Sequence, residues 1–276
     1  MIARELSENR ALFVTQEGHA DLAAQFAAHW GNTRFARLEP YDSMVFAAIY
    51  HDSQFRDVEA DLPINLEKGW PHGHRTTPFS LKRLDALQRN IDWIEARDPF
   101  AGLIVSMHHT GLAQNRYGVV NSWQTVQGAS KPKRPMRPEL QELVQKLEER
   151  QRSLTRQFSE ANPDAEARIK FNYHIFQVFD LLSLYFCCDG HGDGGMKEAT
   201  IGPIPLVYNS DETVDLHILP VSDDKVRFEP YPFDSDMLKI SIYGHVMDAA
   251  EGRSEEQSRA EFYSAERECF AWSIVQ

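Results

Sequence analysis

The chain has few cysteines and no long uncharged apolar run. Its three cysteines, two of them adjacent at positions 187 and 188, do not make a disulfide framework. No uncharged run reaches the roughly 18 residues that a membrane-spanning helix requires. Charged residues stand where a signal peptide has its apolar core. We therefore predict a soluble, cytoplasmic protein that has no membrane partner.

Basic residues are also scarce relative to acidic ones. The chain has 29 Lys and Arg residues against 41 Asp and Glu residues, which gives a net charge of −12. This balance argues against broad binding to nucleic acid. The 276 residues are 42% hydrophobic and 11% aromatic, which is enough to build a substantial globular core.

One unbroken apolar run ends directly in a histidine and an aspartate. Residues 44–50 are apolar, and His51 and Asp52 follow at once. A run that is apolar on all sides belongs to a buried element, and its length, with Asp42 as N-cap, favours a helix over 41–55. The pair is either an ordinary solvated helix end or a pair of groups facing one cavity. The second reading requires a partner, because burying an unpaired carboxylate is costly.

Two further predicted helices carry histidines at inward or terminal positions. His19 shares the apolar face of a helix predicted over 16–30. A lone histidine on such a face is usually a core residue, and that alternative stays open. His108 and His109 directly follow the apolar run of a helix that begins at Pro99. A second buried helix thus ends in imidazoles.

Asp180 is the most unusual single residue of the sequence. It lies between Phe179 and Leu181 in the most apolar predicted helix, over residues 163–188. Aspartate is rarely fully buried without a partner, and the nearest preceding cation is Lys170. Its partner must come from another part of the chain, and a histidine or a metal ion is the obvious candidate.

The segment 62–80 lacks periodicity and contains three prolines and two glycines. Long irregular loops in compact domains often bind ligands, although a solvated connector is the alternative. We predict that Trp70, His74 and Arg75 bind a phosphorylated substrate, because aromatic and cationic side chains suit such a ligand. Lys133, in a basic segment rich in proline, is a further candidate for neutralising charge, unless that segment is a stiff linker.

Beyond residue 200 the apolar period changes from that of a helix to that of a strand. Alternation predicts strands over 214–219, 225–231, 238–246 and 270–275. We therefore expect a mainly α protein with two parts. The first is a helical metal-binding domain over residues 1–199, and the second is a subdomain over 200–276 that packs a small antiparallel β-sheet on it.

The inward histidines and aspartates form a set that suits a divalent transition metal. Imidazole and carboxylate ligands bind zinc, manganese, iron, cobalt or nickel. A mixed set of this kind leaves open coordination positions, which is typical of catalytic sites. We predict that one or two ions are held by His19, His51, Asp52, His108 and Asp180.

The order of these residues resembles the HD-domain superfamily of metal-dependent phosphohydrolases. The resemblance covers about residues 15–188 and places the motif at His19, His51–Asp52 and Asp180, with His108 as an additional ligand. It implies an HD-domain-like helical bundle, although the C-terminal sheet has no counterpart in a minimal HD domain. The segments QEGHADL and MHHTGL and the helix before His51 are similar to a family of uncharacterised bacterial proteins known as DUF3891.

The resemblance implies that the protein hydrolyses a phosphate ester, either a nucleotide or a small phosphometabolite, with metal-activated water. His108 and His109 are the predicted catalytic histidines. One of them would bind the metal, and the other would donate a proton or support the ligand. Two alternatives stay open, a non-catalytic sensor that binds a metal or a ligand, and an HD-type oxygenase that uses two irons.

Overall fold

The computed structural model describes residues 1–122, 135–192 and 195–276. Helices α1 to α8 span, in chain order, Gln16–His29, Tyr41–Tyr50, Phe55–Ala60, Leu81–Glu95, Pro99–Gln114, Pro138–Ala161, Ala165–Leu184 and Glu255–Ser264. A π-helical turn, Tyr185–Asp189, continues α7. Strands β1 to β12 span Ile2–Ser7, Arg10–Val14, Ile64–Asn65, Trp70–Pro71, Val120–Asn121, His191–Gly192, Gly195–Met196, Ala199–Pro205, Thr213–Ser222, Lys225–Glu229, Met237–Asp248 and Arg267–Val275.

Eight of these strands form one mixed sheet, in the order β1-β2-β11-β12-β10-β9-β8-β5. Neighbouring strands are antiparallel except β10 and β12, which are parallel. The prediction of a mainly α fold, an HD-domain-like helical bundle with a small C-terminal sheet, is therefore wrong. The strands predicted over 214–219, 238–246 and 270–275 lie within β9, β11 and β12, and the strand predicted over 225–231 is present as β10 but ends two residues earlier, at Glu229.

The N-terminal strands β1 and β2 account for much of the difference between the predicted fold and the observed one. Residues 10–13 of β2 pair with residues 245–248 of β11, more than 230 positions later in the chain. Such a pairing leaves no local signature, and β1 shows little apolar alternation. The sheet therefore takes strands from both sides of position 199. The division into domains over 1–199 and 200–276 stays a prediction about folding units.

The helices cover the sheet and share one apolar core with it. α1 contacts β11, and α7 contacts β8. α2 packs against both of these helices, and α5 packs against α7. Phe186 links the layers, because its ring lies 5.9 Å from that of Phe26 in α1 and 5.2 Å from that of Trp272 in β12. The polar cluster described below is therefore embedded in a core that the sheet closes from one side.

Two of the predicted helix starts are confirmed by their caps. The Thr15 hydroxyl accepts a hydrogen bond from the backbone N–H of Gly18 at 3.0 Å. Asp98 caps α5 in the same way through Ala101, and Pro99 occupies the first turn. The helix predicted over 41–55 is interrupted after Tyr50, and Pro40 rather than Asp42 stands at its N-cap.

The segment 62–80 is partly ordered as a hairpin of β3 and β4. Trp70 belongs to a second, smaller core cluster, where its ring lies 5.9 Å from that of Phe13. Lys133 lies outside the described residues. Among the helices of the described segments, each is too short or too polar to cross a membrane.

Truncation after residue 199 tests whether the helical part folds alone. The truncated chain keeps β1 and β2 but loses β11, so that the backbone of β2 and its buried Leu12 and Val14 lose their cover. We expect no cooperative unfolding transition by circular dichroism and aggregation on purification, because an exposed apolar strand edge associates with others. Co-expression of residues 200–276 should restore solubility. A cooperative transition of the isolated 1–199 chain would show that the sheet is not required.

Candidate metal centre

Five buried polar side chains from four separate segments converge on one point. α1 contributes a histidine, the turn after α2 a His-Asp pair, α5 a histidine and α7 an aspartate. All five residues are buried. Together with His109 they form three overlapping groups, within each of which the candidate ligand atoms lie within 4.8 Å of one another. The structure thus brings together the whole predicted ligand set, which is His19, His51, Asp52, His108 and Asp180.

The ring of His51 has one nitrogen satisfied and one without a partner. Its Nδ1 lies 2.8 Å from the carbonyl oxygen of Ala48, which can only accept, so Nδ1 carries the proton. Its Nε2 is buried and has no hydrogen-bond partner among the residues that the structure describes. That nitrogen lies 3.8 Å from Asp52 Oδ2 and 3.8 Å from Asp180 Oδ1. A lone pair thus faces two carboxylates, an arrangement that is unfavourable without a cation.

Ser183 fixes the orientation of the His19 ring in the same way, through a hydrogen bond to Nδ1. The Ser183 hydroxyl donates to the backbone carbonyl of Asp180 and accepts from His19 Nδ1, both at 2.7 Å. His19 Nε2 therefore points inwards, 3.1 Å from Asp180 Oδ1 and 4.0 Å from Asp52 Oδ2. At 3.1 Å the nitrogen and the oxygen require a proton between them, or a cation that both can bind.

His108 is oriented by Tyr117, which follows α5. The Tyr117 hydroxyl contacts His108 Nδ1 and lies 3.2 Å from Asp180 Oδ2. When the hydroxyl donates to the carboxylate, His108 Nδ1 donates to the hydroxyl, and the Nε2 lone pair of His108 stays free for a ligand. The rings of His51 and His108 are nearly perpendicular, with centroids 5.2 Å apart. Outer hydrogen bonds of this kind fix the tautomer of metal-binding histidines.

Burial and charge set the protonation of the cluster. Burial opposes protonation of His19, but its hydrogen bonds to Asp180 and Cys187 and the charges of Asp180 and Asp52 together outweigh burial and raise the pKa of His19 to about 10. Burial would raise the pKa of Asp180, yet the His19 hydrogen bond and the neighbouring imidazoles hold it well below its usual range. Burial lowers the pKa of His108 to about 3. One proton, shared by His19 and Asp180, thus offsets part of the negative charge.

The chemistry and orientation of the cluster residues fit a metal ion. Outer partners hold the Nδ1 atoms of three imidazoles, so that their Nε2 atoms are the ones directed towards the two carboxylates. His51 Nε2 has no hydrogen-bond partner among the described residues. Nitrogen and oxygen ligands in this mixture are those of divalent transition metals. The set fits one or two such ions, and their identity as ligands stays a prediction.

His109 occupies the edge of the cluster. Its Nε2 lies 2.9 Å from the carbonyl oxygen of His51 and 3.9 Å from Asp52 Oδ1. Because a carbonyl only accepts, this nitrogen carries a proton in the structure and supports the turn at His51. His108 shares one candidate ligand group with His51 and Asp180, and both adjacent histidines share another with Asp52. The catalytic roles predicted for His108 and His109 stay predictions.

Two amides hold Asp52 in place, and sequence reasoning missed both. Gln54 donates to Asp52 Oδ1 at 3.1 Å, and Asn90 in α4 donates to the Gln54 side-chain oxygen at 2.9 Å. Both amides are buried. Asn90 is a polar residue on the apolar stripe of its helix, and this was the signal that could have identified it.

The residues predicted to bind substrate lie outside the metal cluster. Trp70 is only 5% exposed and packs in the second core. Arg75 donates to both carboxylate oxygens of Asp189, at 2.6 and 2.7 Å. His74 Nδ1 is buried without a hydrogen-bond partner in the described part of the chain, and burial lowers the pKa of His74 to about 4. All three line one cavity of about 220 Å³ beside β1, and their role in substrate binding stays a prediction.

Arg83 is a cation near the cluster that the sequence did not indicate. Burial lowers the pKa of Arg83, and the charge of Asp52 opposes that shift. Its guanidinium lies 5.1 Å above the ring of Phe55 and donates to the carbonyl of Pro78 at 3.3 Å. The packing of α3 on α4 brings Arg83 to this place, so it could not be recognised from the helix pattern alone.

Tyr117→Phe tests the hydroxyl that orients His108. The variant leaves His108 Nδ1 buried without its acceptor, so we expect the free energy of unfolding to fall by about 1–3 kcal/mol. Metal affinity should weaken by roughly 10- to 100-fold, as for other outer hydrogen bonds of metal ligands. Tyr173→Phe, which removes a tyrosine hydroxyl from α7 instead, is the matched control. Unchanged stability and affinity in Tyr117→Phe would mean that the hydroxyl does not set the tautomer.

Comparison with known proteins gives one match. The model of the family described as "Protein of unknown function (DUF3891)" matches residues 1–249. No curated protein and no solved structure matches the chain. The matched segment contains every residue of the metal cluster and extends through the end of β11. The chain belongs to the DUF3891 family.

Proposed function

We propose that the protein is a metal-dependent phosphohydrolase related to the HD-domain superfamily. The observation that carries this proposal is the buried His51 Nε2, which has no partner and faces the carboxylates of Asp52 and Asp180. The order of the cluster along the chain, a histidine, a His-Asp pair and a later aspartate, is that of the superfamily. A cytoplasmic location remains part of the proposal.

The residues that would hold the ion are those of the predicted set: His19, His51, Asp52, His108 and Asp180. A bound divalent ion lowers the pKa of a coordinated water towards neutrality and polarises a phosphoryl oxygen. The chain excludes bulk water from this point, since the surrounding helices are apolar and the five side chains are buried. Ser183, Tyr117 and Gln54 fix the orientation of the ligands before the substrate arrives.

The accessible side of the cluster is the one formed by Asp52 and His109. Their side chains are 10% and 9% exposed, whereas those of His51 and His19 are 0% and 2% exposed. Arg83 lies on the Asp52 side and has a guanidinium that can neutralise a phosphate. The substrate class that this charge arrangement fits is a small phosphate ester, either a nucleotide or another phosphometabolite.

Metal content is the first test. Protein purified without chelator should contain near-stoichiometric transition metal by elemental analysis. His51→Ala and Asp180→Asn should lose it, because each removes a donor from the cluster. His29→Ala is the control, since His29 lies in α1 like His19 but pairs with Asp234 at the surface. A wild type that stays metal-free after incubation with manganese, iron, cobalt, nickel and zinc would disprove the metal site.

Turnover is the second test. We expect metal-dependent hydrolysis of p-nitrophenyl phosphate or of a member of a nucleotide panel. Arg83→Met should keep its metal and lose about 10²-fold or more in kcat/KM, as when a donor to a developing negative charge is removed. Arg97→Met is the control, because Arg97 follows the opposite end of α4 and stacks on Trp93.

The same assay separates the alternatives. Tight binding of a phosphorylated compound without turnover would favour a sensor. Metal-dependent oxygen consumption by the iron-loaded protein, without phosphate release, would favour the oxygenase. His109→Asn should retain metal yet slow phosphate release if His109 takes part in proton transfer.

A further inference from the structure

A second cavity lies between the sheet and the short hairpin of β6 and β7. It measures about 570 Å³, and none of its described lining residues belongs to the candidate metal centre. Phe270 and Trp272 in β12 provide an aromatic wall, and His191 and Met196 of the hairpin and the carboxylate residue Asp223 also line the cavity. A cavity of this size is within the range of about 300–1,000 Å³ that is common for small-molecule sites.

Arg4 is the unusual residue of this cavity. It is only 8% exposed, yet its Nε and Nη1 atoms are buried without a hydrogen-bond partner. Within the described segments, no carboxylate forms an ion pair with it. Its guanidinium lies 5.2 Å from the centre of the Phe270 ring. Each edge of the planar group includes a donor that lacks an acceptor, and buried charges are normally paired.

The surroundings of Arg4 do not neutralise it. Burial lowers the pKa of Arg4, and the nearby thiols of Cys187 and Cys188 oppose that shift only in part. Arginine nevertheless keeps its charge in proteins. Burial also lowers the pKa of His191 to about 4, so this histidine is neutral at pH 7. The cavity thus presents one unpaired positive charge beside two aromatic rings.

We propose that this cavity binds a small organic anion, whose carboxylate or phosphate group pairs with Arg4 and whose apolar or aromatic body lies against Phe270 and Trp272. Charged oxygens are the acceptors that a guanidinium binds most strongly. The rings of β12 offer flat apolar surface for the rest of the molecule. The proposal goes beyond the metal centre and does not depend on it.

Ligand titrations of the full-length protein in the presence of chelator test this site apart from the metal. Benzoate and phenyl phosphate are the anionic probes, benzamide is the neutral counterpart of benzoate, and inorganic phosphate lacks the aromatic body. We expect saturable calorimetric binding of benzoate or phenyl phosphate and none of benzamide. Preference between the two anions identifies the head group. Equal binding of inorganic phosphate would contradict the role of the aromatic wall.

Arg4→Met is the decisive variant because it removes the charge and keeps an apolar side chain. Affinity for the anionic probe should fall by about 10- to 100-fold, the loss of a hydrogen bond to a charged group. Its Tm without ligand should rise, because the variant no longer buries an unpaired charge. A merely structural Arg4 would instead lower Tm. Arg227→Met, on the exposed face of β10, is the control and should leave affinity unchanged.

Crystals of the wild type with 4-bromobenzoate keep the proposal testable even if Arg4→Met does not fold. The anomalous signal of bromine should lie against Phe270 or Trp272, with the carboxylate within hydrogen-bond distance of Arg4. No saturable binding of either anion, undiminished binding to Arg4→Met, or bromine only at other positions would overturn the proposal.

Discussion

The organisation of the helical layer depends on one unfavourable arrangement of charge and lone pairs. Imidazole nitrogens of His19, His51 and His108 face the carboxylates of Asp52 and Asp180 inside an apolar core. Acceptors that face one another away from water repel and must share a proton or a cation. A single proton between His19 and Asp180 meets part of this need. His51 Nε2 remains unsatisfied.

The surrounding structure holds that arrangement rather than relieving it. Ser183, the carbonyl of Ala48 and the hydroxyl of Tyr117 each occupy the outer nitrogen of one imidazole. The inner nitrogens consequently cannot rotate to find other partners without breaking a buried hydrogen bond. Gln54 and Asn90 do the same for Asp52. The cluster is therefore preorganised, since the cost of orienting its groups is met by folding.

The residues that converge in the candidate site could be singled out from the sequence because each is a polar residue in or directly after an apolar run. Asp180 stands inside an apolar run, and His51–Asp52 and His108–His109 follow such runs directly. A buried polar residue can be recognised locally, since the hydrophobic period of its helix shows which side faces the core. The strands of the C-terminal part were recognised for the same reason, by their alternation.

The rest of the architecture depends on contacts between distant segments. Tyr117 lies in an aperiodic stretch, and Arg83 approaches Asp52 only because α3 packs on α4. The eight-stranded sheet requires β2 to find β11, and β5 contributes only two residues. Arg4 resembles an ordinary polar residue of an edge strand until the hairpin of β6 and β7 encloses it. None of these contacts is marked in the sequence by a hydrophobic period or by a motif spacing.

The pairing of β2 with β11 also has a consequence for how the chain is made. β2 is complete once residue 14 has been synthesised, but its partner spans residues 245–248, near the end of the chain. Until β11 has been synthesised, β2 can pair only with β1 in this sheet. Contacts of such long sequence separation are slow to form, and unpaired strand edges promote aggregation of nascent intermediates. The strands of this sheet that are synthesised first are thus among the last to be paired on both sides.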